Sequence, residues 1–224
     1  MNKKKTRRSV TSPEGTEDDL RLVEYEITTQ SLEDRSYKRL PKRVKDAVPR
    51  LHNDIHRRPR EVIPELEGLI KKYPHVPMFY NYLVVAYAAA GEHEKAEETA
   101  RKNYEQNPEY LFARLNYAEL FLRQGEYERV AEIFDHTFDL KLLYPKRKRF
   151  HVSEVAGFMG LIGIYFLRTG EREAAERYYE ILQQVAPDEP MTVQLGRQLY
   201  PGCLLGLLQR LAGNGGAEQE DGGT

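Results

Sequence analysis

The sequence predicts an all-α protein, an α-solenoid in which helical hairpins stack side by side, and three observations carry that prediction. The block Gly91-Glu92-His93-Glu94-Lys95-Ala96 returns 34 residues later as Gly125-Glu126-Tyr127-Glu128-Arg129-Val130, and 45 residues after that as Gly170-Glu171-Arg172-Glu173-Ala174-Ala175. Each glycine separates two amphipathic stretches, as Gly91 separates FYNYLVVAYAAA from EKAEETARKNYEQNP. Prolines 74, 108 and 187 close second stretches, because proline cannot continue a helical hydrogen-bond ladder and also disfavours helix in the residue before it.

Taken in order, residues 1–34 are polar and charged and are expected to form a flexible segment. A degenerate first hairpin follows. Val62, Leu66, Leu69 and Pro74 mark its second helix, and its first falls within Lys42 to Arg57, where Pro49 opposes helix and Arg57 replaces the turn glycine. Clear hairpins begin at Pro77, Leu111 and Ala156, each turning at a glycine, which adopts the left-handed helix-ending conformation without steric cost. The 11 residues by which the second interval exceeds the first include YPKRKRF (144–150), expected to be an extended solvated loop between hairpins. One hairpin cannot bury its apolar face alone, so the stack needs caps. Leu195, Leu199, Leu204, Leu205, Leu208 and Leu211 predict a C-terminal capping helix broken near Pro201-Gly202, with surplus leucines that permit self-association. The organisation is therefore 1–34 flexible, 35–212 helical repeats with cap, and 213–224 a disordered glycine-rich acidic tail.

The motif positions resemble the tetratricopeptide repeat family, whose pattern places large, small and aromatic residues at fixed offsets over 34 residues. In the hairpin from Pro77 these are Tyr80, Leu83, Tyr87, Gly91, Ala96 and Pro108, with Val84 where the family prefers a small residue. The hairpin from Leu111 has Tyr117, Ala118, Phe121, Gly125, Val130 and Phe134, without a terminal proline; that from Ala156 has Met159, Ile162, Gly163, Phe166, Gly170, Ala175, Tyr179 and Pro187. The resemblance implies a concave groove lined by the first helix of each hairpin, an adaptor, scaffold or assembly role, and no enzymatic activity. Its groove offsets select Met78, Asn81, Tyr82, Val85 and Ala89, then Phe112, Leu115, Asn116, Glu119 and Arg123, then Gly157, Gly160, Leu161, Ile164 and Arg168. Asn81, Val85 and Phe112 stand where the family's carboxylate clamp needs lysine or asparagine, so that clamp is rejected. A peptide or partner protein whose backbone bonds to Asn81 and Asn116 while its apolar side chains meet Tyr82 and Phe112 is the expected occupant. Gly157, Gly160 and Gly163 recur every three residues and call for a close neighbour, a packed helix in preference to a ligand.

Composition bounds the remaining classes. Net charge is -1, but ten basic residues against two acids lie between Arg35 and Arg60. With MNKKKTRR and the loop cations Lys146, Arg147, Lys148 and Arg149, they offer contacts to an acidic partner or to phosphates, and Tyr37, Tyr144 and Phe150 are candidates to stack on bases. Nucleic-acid binding is therefore the alternative function, weakened by a pI near 6.6 and the lack of a nucleic-acid motif. His52 and His56 have metal spacing but no third ligand among arginines, so neither metal nor cofactor is expected. No phosphate loop or nucleophile elbow is present, and the carboxylates fall at solvated helix spacing, so no catalytic residue is assigned. MNKKKTRRSV lacks the apolar stretch of a signal peptide, and the apolar run from Val155 to Leu167 falls short of the about 20 residues that span a bilayer. With one cysteine, Cys203, a cytoplasmic protein that engages no membrane is expected.

Overall fold

A computed structural model describes residues 25–32 and 35–202. The described residues begin with strand β1 (Glu26–Thr28) and a single helical turn α1 (Arg35–Lys38), then enter the repeats. Helices α2 (Lys42–Arg57) and α3 (Pro59–Lys72) form the first hairpin, α4 (Pro77–Ala90) and α5 (His93–Gln106) the second, and α6 (Leu111–Gln124) and α7 (Tyr127–Ile133) the third. An insert follows with the turn α8 (Leu140–Leu143) and strand β2 (Arg149–His151). Helices α9 (Val152–Thr169) and α10 (Arg172–Val185) make the fourth hairpin, and α11 (Pro190–Leu199) closes the described chain.

The turns follow the expected chemistry. Gly91, Gly125 and Gly170 have φ of 82°, 79° and 91°, the left-handed region where a side chain is strained. In the first hairpin Arg58, with φ -140° and ψ 54°, makes the turn at negative φ and needs no glycine. Pro49 does not break α2, contrary to the expectation that it opposes helix there. It faces solvent, while Val48, Leu51 and Ile55 at helical spacing are buried and supply the packing that offsets the lost ladder bond.

Two apolar clusters make the core. One joins Leu51, Ile55, Val62, Leu66, Phe79, Leu83 and Ala86 of the first two hairpins. The other joins the third and fourth hairpins, the insert and Tyr25. Between them Tyr104 of α5 stacks on Tyr117 of α6, centroids 4.7 Å apart. Helix α9, with 18 apolar-rich residues, is long enough to cross a bilayer by composition alone, and it buries eleven of them within the array.

The three glycines of α9 meet packed helices, as their spacing predicts. A methyl group at Gly157 would lie 3.0 Å from Leu115 Cδ1, at Gly160 2.6 Å from Met191 Cβ, and at Gly163 2.5 Å from Leu195 Cδ2. Their missing side chains let α6 and α11 close on the backbone of α9.

Two expectations are corrected. Residues 25–28 are ordered by the fold: β1 runs parallel to β2, with Glu26, Ile27 and Thr28 opposite Arg149, Phe150 and His151. Alternating Tyr25 and Ile27 give this stretch an apolar face that β2 covers, a pattern outweighed in the sequence by surrounding charge. Residues 140–151 are likewise not an extended solvated loop. Asp139 accepts from the backbone N–H groups of Lys141 and Leu142 at 2.7 and 2.8 Å and so starts α8. Tyr144 and Phe150 are buried. A capping box starts α9, His151 Nδ1 accepting from Ser153 N–H at 3.2 Å and Glu154 from His151 N–H at 2.9 Å.

The insert exists because α7 stops after seven residues. Asp135 and His136 take φ of 53° and 52°, and the chain turns away. Arg114 stands 34 residues after Tyr80, where the preceding hairpin has an aromatic ring. Its buried guanidinium donates to the carbonyls of Pro108 at 2.6 Å and Ile133 at 3.0 Å, satisfying an orphan acceptor at the end of α7, and to Asp135 at 2.9 Å. Leu195 and Leu199 cover α9 and α10 as the cap prediction requires, whereas Leu204, Leu205, Leu208, Leu211 and the 213–224 tail lie outside the described residues.

Candidate functional site

The first helices of successive hairpins, α2, α4, α6, α9 and α11, lie side by side, so the side chains they share line one face of the array. Along α4 and α6 this face is amide and half-buried apolar. Asn116 Nδ2 donates to Asn81 Oδ1 at 2.8 Å, tying neighbouring first helices together. The two amides thus bond to each other, which leaves each with only part of its capacity for a partner's backbone. Tyr82 packs against His52 of α2, centroids 5.6 Å apart, and burial pushes its hydroxyl pKa up to about 12. Met78, Val85 and Phe112 are half-buried against the core, and Phe112 meets Tyr110 at 5.8 Å.

Between α6, α9 and α11 the face deepens into a trough of about 460 Å³. Leu161 and Ile164, 2% and 4% exposed, form its floor with Leu122 and Met191. Glu119, Arg123, Gln124, Arg168, Gln194 and Gln198 make its polar rim. Arg168 Nη2 donates across the trough to Gln198 Oε1 at 3.2 Å, and Arg123 turns out to Glu97 of α5 at 3.2 Å. Glu119 keeps an exposed edge, but loss of hydration between the walls raises its pKa above the ordinary carboxylate range, against a smaller lowering by Arg123.

Of the fifteen residues selected by the groove offsets, Glu119, Arg123, Leu161, Ile164 and Arg168 converge on this trough. Leu115 does not reach it, lying 6% exposed beneath Gly157. Met191, Gln194 and Gln198 were missed. A signal was available: Pro190 opens α11 as Pro77 opens α4, and the offsets that select Met78, Asn81 and Val85 from Pro77 select Met191, Gln194 and Gln198 from Pro190. Treating this stretch only as a cap concealed that it is also a first helix.

The four loop cations divide into pairs. Arg147 forms a two-pronged ion pair with Glu154, at 3.0 and 2.7 Å, and covers the ring of Phe150 at 4.2 Å. Arg149 pairs with Glu26 at 3.1 Å, while Lys146 and Lys148 are exposed. The suggestion that Tyr144 and Phe150 stack on bases is corrected, since the two rings are 8% and 0% exposed and are consumed by the insert's own core. In the early basic stretch Arg50 holds Glu65 at 2.7 and 2.6 Å, and Arg58 pairs with Glu61 at 3.6 Å.

Stacked two-helix units, three of whose first helices end at a glycine, and one shared face define a helical-repeat protein. Residues 56–110, from the end of α2 through the second hairpin, match the tetratricopeptide repeat family model, and that part of the chain is similar to the family. Comparison with curated proteins and with solved structures returned no significant match.

Proposed function

We propose that this protein is an adaptor, scaffold or assembly factor that holds a segment of a partner protein in the trough between α6, α9 and α11. The observation that carries the proposal is the convergence of Glu119, Arg123 and Arg168 with Gln194 and Gln198 around the apolar floor of Leu161 and Ile164. A concave site with a small apolar base and a few directed polar groups suits a peptide that lays one or two apolar side chains inward and bonds its backbone to the rim. The half-buried Tyr82 and Phe112 extend the same surface towards the first hairpin. A reducing compartment, the cytoplasm, is the proposed setting, in keeping with the single cysteine.

The test is position-specific photocrosslinking of the full chain in native extract. A benzophenone amino acid at Gln194, on the rim, should form partner adducts that one at Glu180 of α10 does not, and Glu119→Lys with Arg168→Glu should abolish them. Equal adducts from both positions, or adducts indifferent to the charge reversals, would reject the trough as the binding surface.

A further inference from the structure

The insert between the third and fourth hairpins grips an extended segment of this same chain. Glu26 N–H donates to the Lys148 carbonyl at 2.9 Å, beginning a parallel ladder three residues long. The side chains alternate across it. Tyr25 turns inward, buried, its ring edge-on to Phe150 with centroids 5.1 Å apart. Glu26 turns outward onto Arg149, Nη2 to Oε1 at 3.1 Å. Ile27 turns back against the apolar cluster. Three consecutive positions are thus recognised by three different chemistries: an aromatic pocket, a cation and an apolar wall.

Nothing in the topology locks this segment in place. No hairpin turn joins β1 to β2, whose registered residues are 123 apart in sequence. Residues 29–32, which follow the strand, are exposed. A three-residue strand of half-buried residues, preceded by the one buried ring of Tyr25 and followed by exposed residues, belongs to the part of a structure that opens locally long before the whole unfolds.

We propose that β2 and its aromatic pocket form a second docking site, separate from the trough, for an extended segment of aromatic–acidic–aliphatic pattern added in parallel, and that residues 25–28 fill it as an intramolecular stand-in. Main-chain bonds to β2 supply the affinity, and alternate pockets supply the specificity. Arg147 holds the site in shape, its guanidinium fixed by Glu154 and laid over the rings of Phe150 and Tyr144 at 4.2 and 5.5 Å. The partner's acid replaces Glu26 on Arg149, and its aromatic ring replaces Tyr25.

The probe is a fluorescein-labelled synthetic peptide of residues 22–30, LVEYEITTQ, followed by anisotropy with the full-length chain. The wild type, filled by its own strand, should bind it weakly. Tyr25→Ala combined with Ile27→Ala should bind at least tenfold more tightly than the wild type and ignore a scrambled peptide. Adding Arg149→Glu to that variant should remove the binding, and a peptide carrying arginine in place of its second glutamate should restore it. Binding by the double variant no tighter than by the wild type, or binding that survives Arg149→Glu, overturns the proposal. Should the double variant lose its helical circular dichroism, the ¹⁵N-labelled wild type decides the matter. Excess unlabelled peptide must then accelerate hydrogen exchange of the chain's own Glu26 amide, and an unchanged rate overturns the proposal equally.

Discussion

Alanine at position 160 tests whether the close approach of α9 and α11 holds the end of the array together. Its Cβ would stand 2.6 Å from Met191 Cβ and 3.2 Å from the Met191 carbonyl oxygen. Carbon atoms in contact settle about 3.5–4.0 Å apart, so α11 must retreat by roughly 1 Å. Overpacking of this kind costs about 1–3 kcal/mol, and here the obstacle is backbone with its attached Cβ, which cannot swing aside. Against that, replacing a helical glycine by alanine returns about 1 kcal/mol of helix propensity. The net expectation is a loss of up to about 2 kcal/mol, or roughly 2–4 °C in Tm for each kcal/mol in a protein of this size. Gly68 is the internal control: it is exposed in α3, with nothing within 4 Å of an added Cβ. Gly68→Ala should therefore gain about 0.5–1 kcal/mol. Urea and thermal unfolding by far-UV circular dichroism will compare the two, and hydrogen exchange will show whether the Gly160→Ala loss is concentrated in α11, as nearest-neighbour coupling in a repeat array requires. The reasoning fails if both substitutions raise the midpoint, because the two helices would then have room that the packing denies.

Three further outcomes follow from single side chains. Arg114→Met should cost about 2–3 kcal/mol by leaving the Pro108 and Ile133 carbonyls without their donor, while Asp135→Asn, on the 70% exposed side of the pair, should cost less than about 1 kcal/mol; chemical denaturation reads both. Tyr144 has a buried hydroxyl with no hydrogen-bond partner among the described residues, so Tyr144→Phe should be neutral or raise the midpoint slightly at pH 7. Alkaline titration of stability checks the same hydroxyl. Burial pushes its pKa from 10.0 up to about 12, so its contribution is complete below pH 10 and is lost as pH climbs towards 12, and Tyr144→Phe should flatten the fall in that window by about 1.4 kcal/mol per pH unit.

The helices were legible because each rests on local rules. The apolar spacing of Val48, Leu51 and Ile55, proline at the first position of α4 and α11, and glycine at 91, 125 and 170 all act within a few residues of themselves. Pro49 misled because its cost is local while its compensation, burial of α2, is not. The missing terminal proline of the third hairpin hinted that its second helix is abnormal, but only Arg114 reaching the Ile133 carbonyl shows how it ends. Half the trough was visible from family offsets on α6 and α9. The half contributed by α11 became visible once that helix was recognised as the first of another unit.

By itself the sequence determined where the chain turns, which stretches are helical and which face of each helix is apolar. Those properties depend on φ preference, the missing proline N–H and a period of 3.6 residues, all carried by neighbours along the chain. Only the tertiary structure decided which polar groups are spent. Asn81 meets Asn116, Arg149 meets Glu26, and Arg147 meets Glu154 while shielding Phe150. The choice among possible partners for a side chain falls within a few ångströms, a distance set by how helices and strands far apart in sequence come to rest on one another.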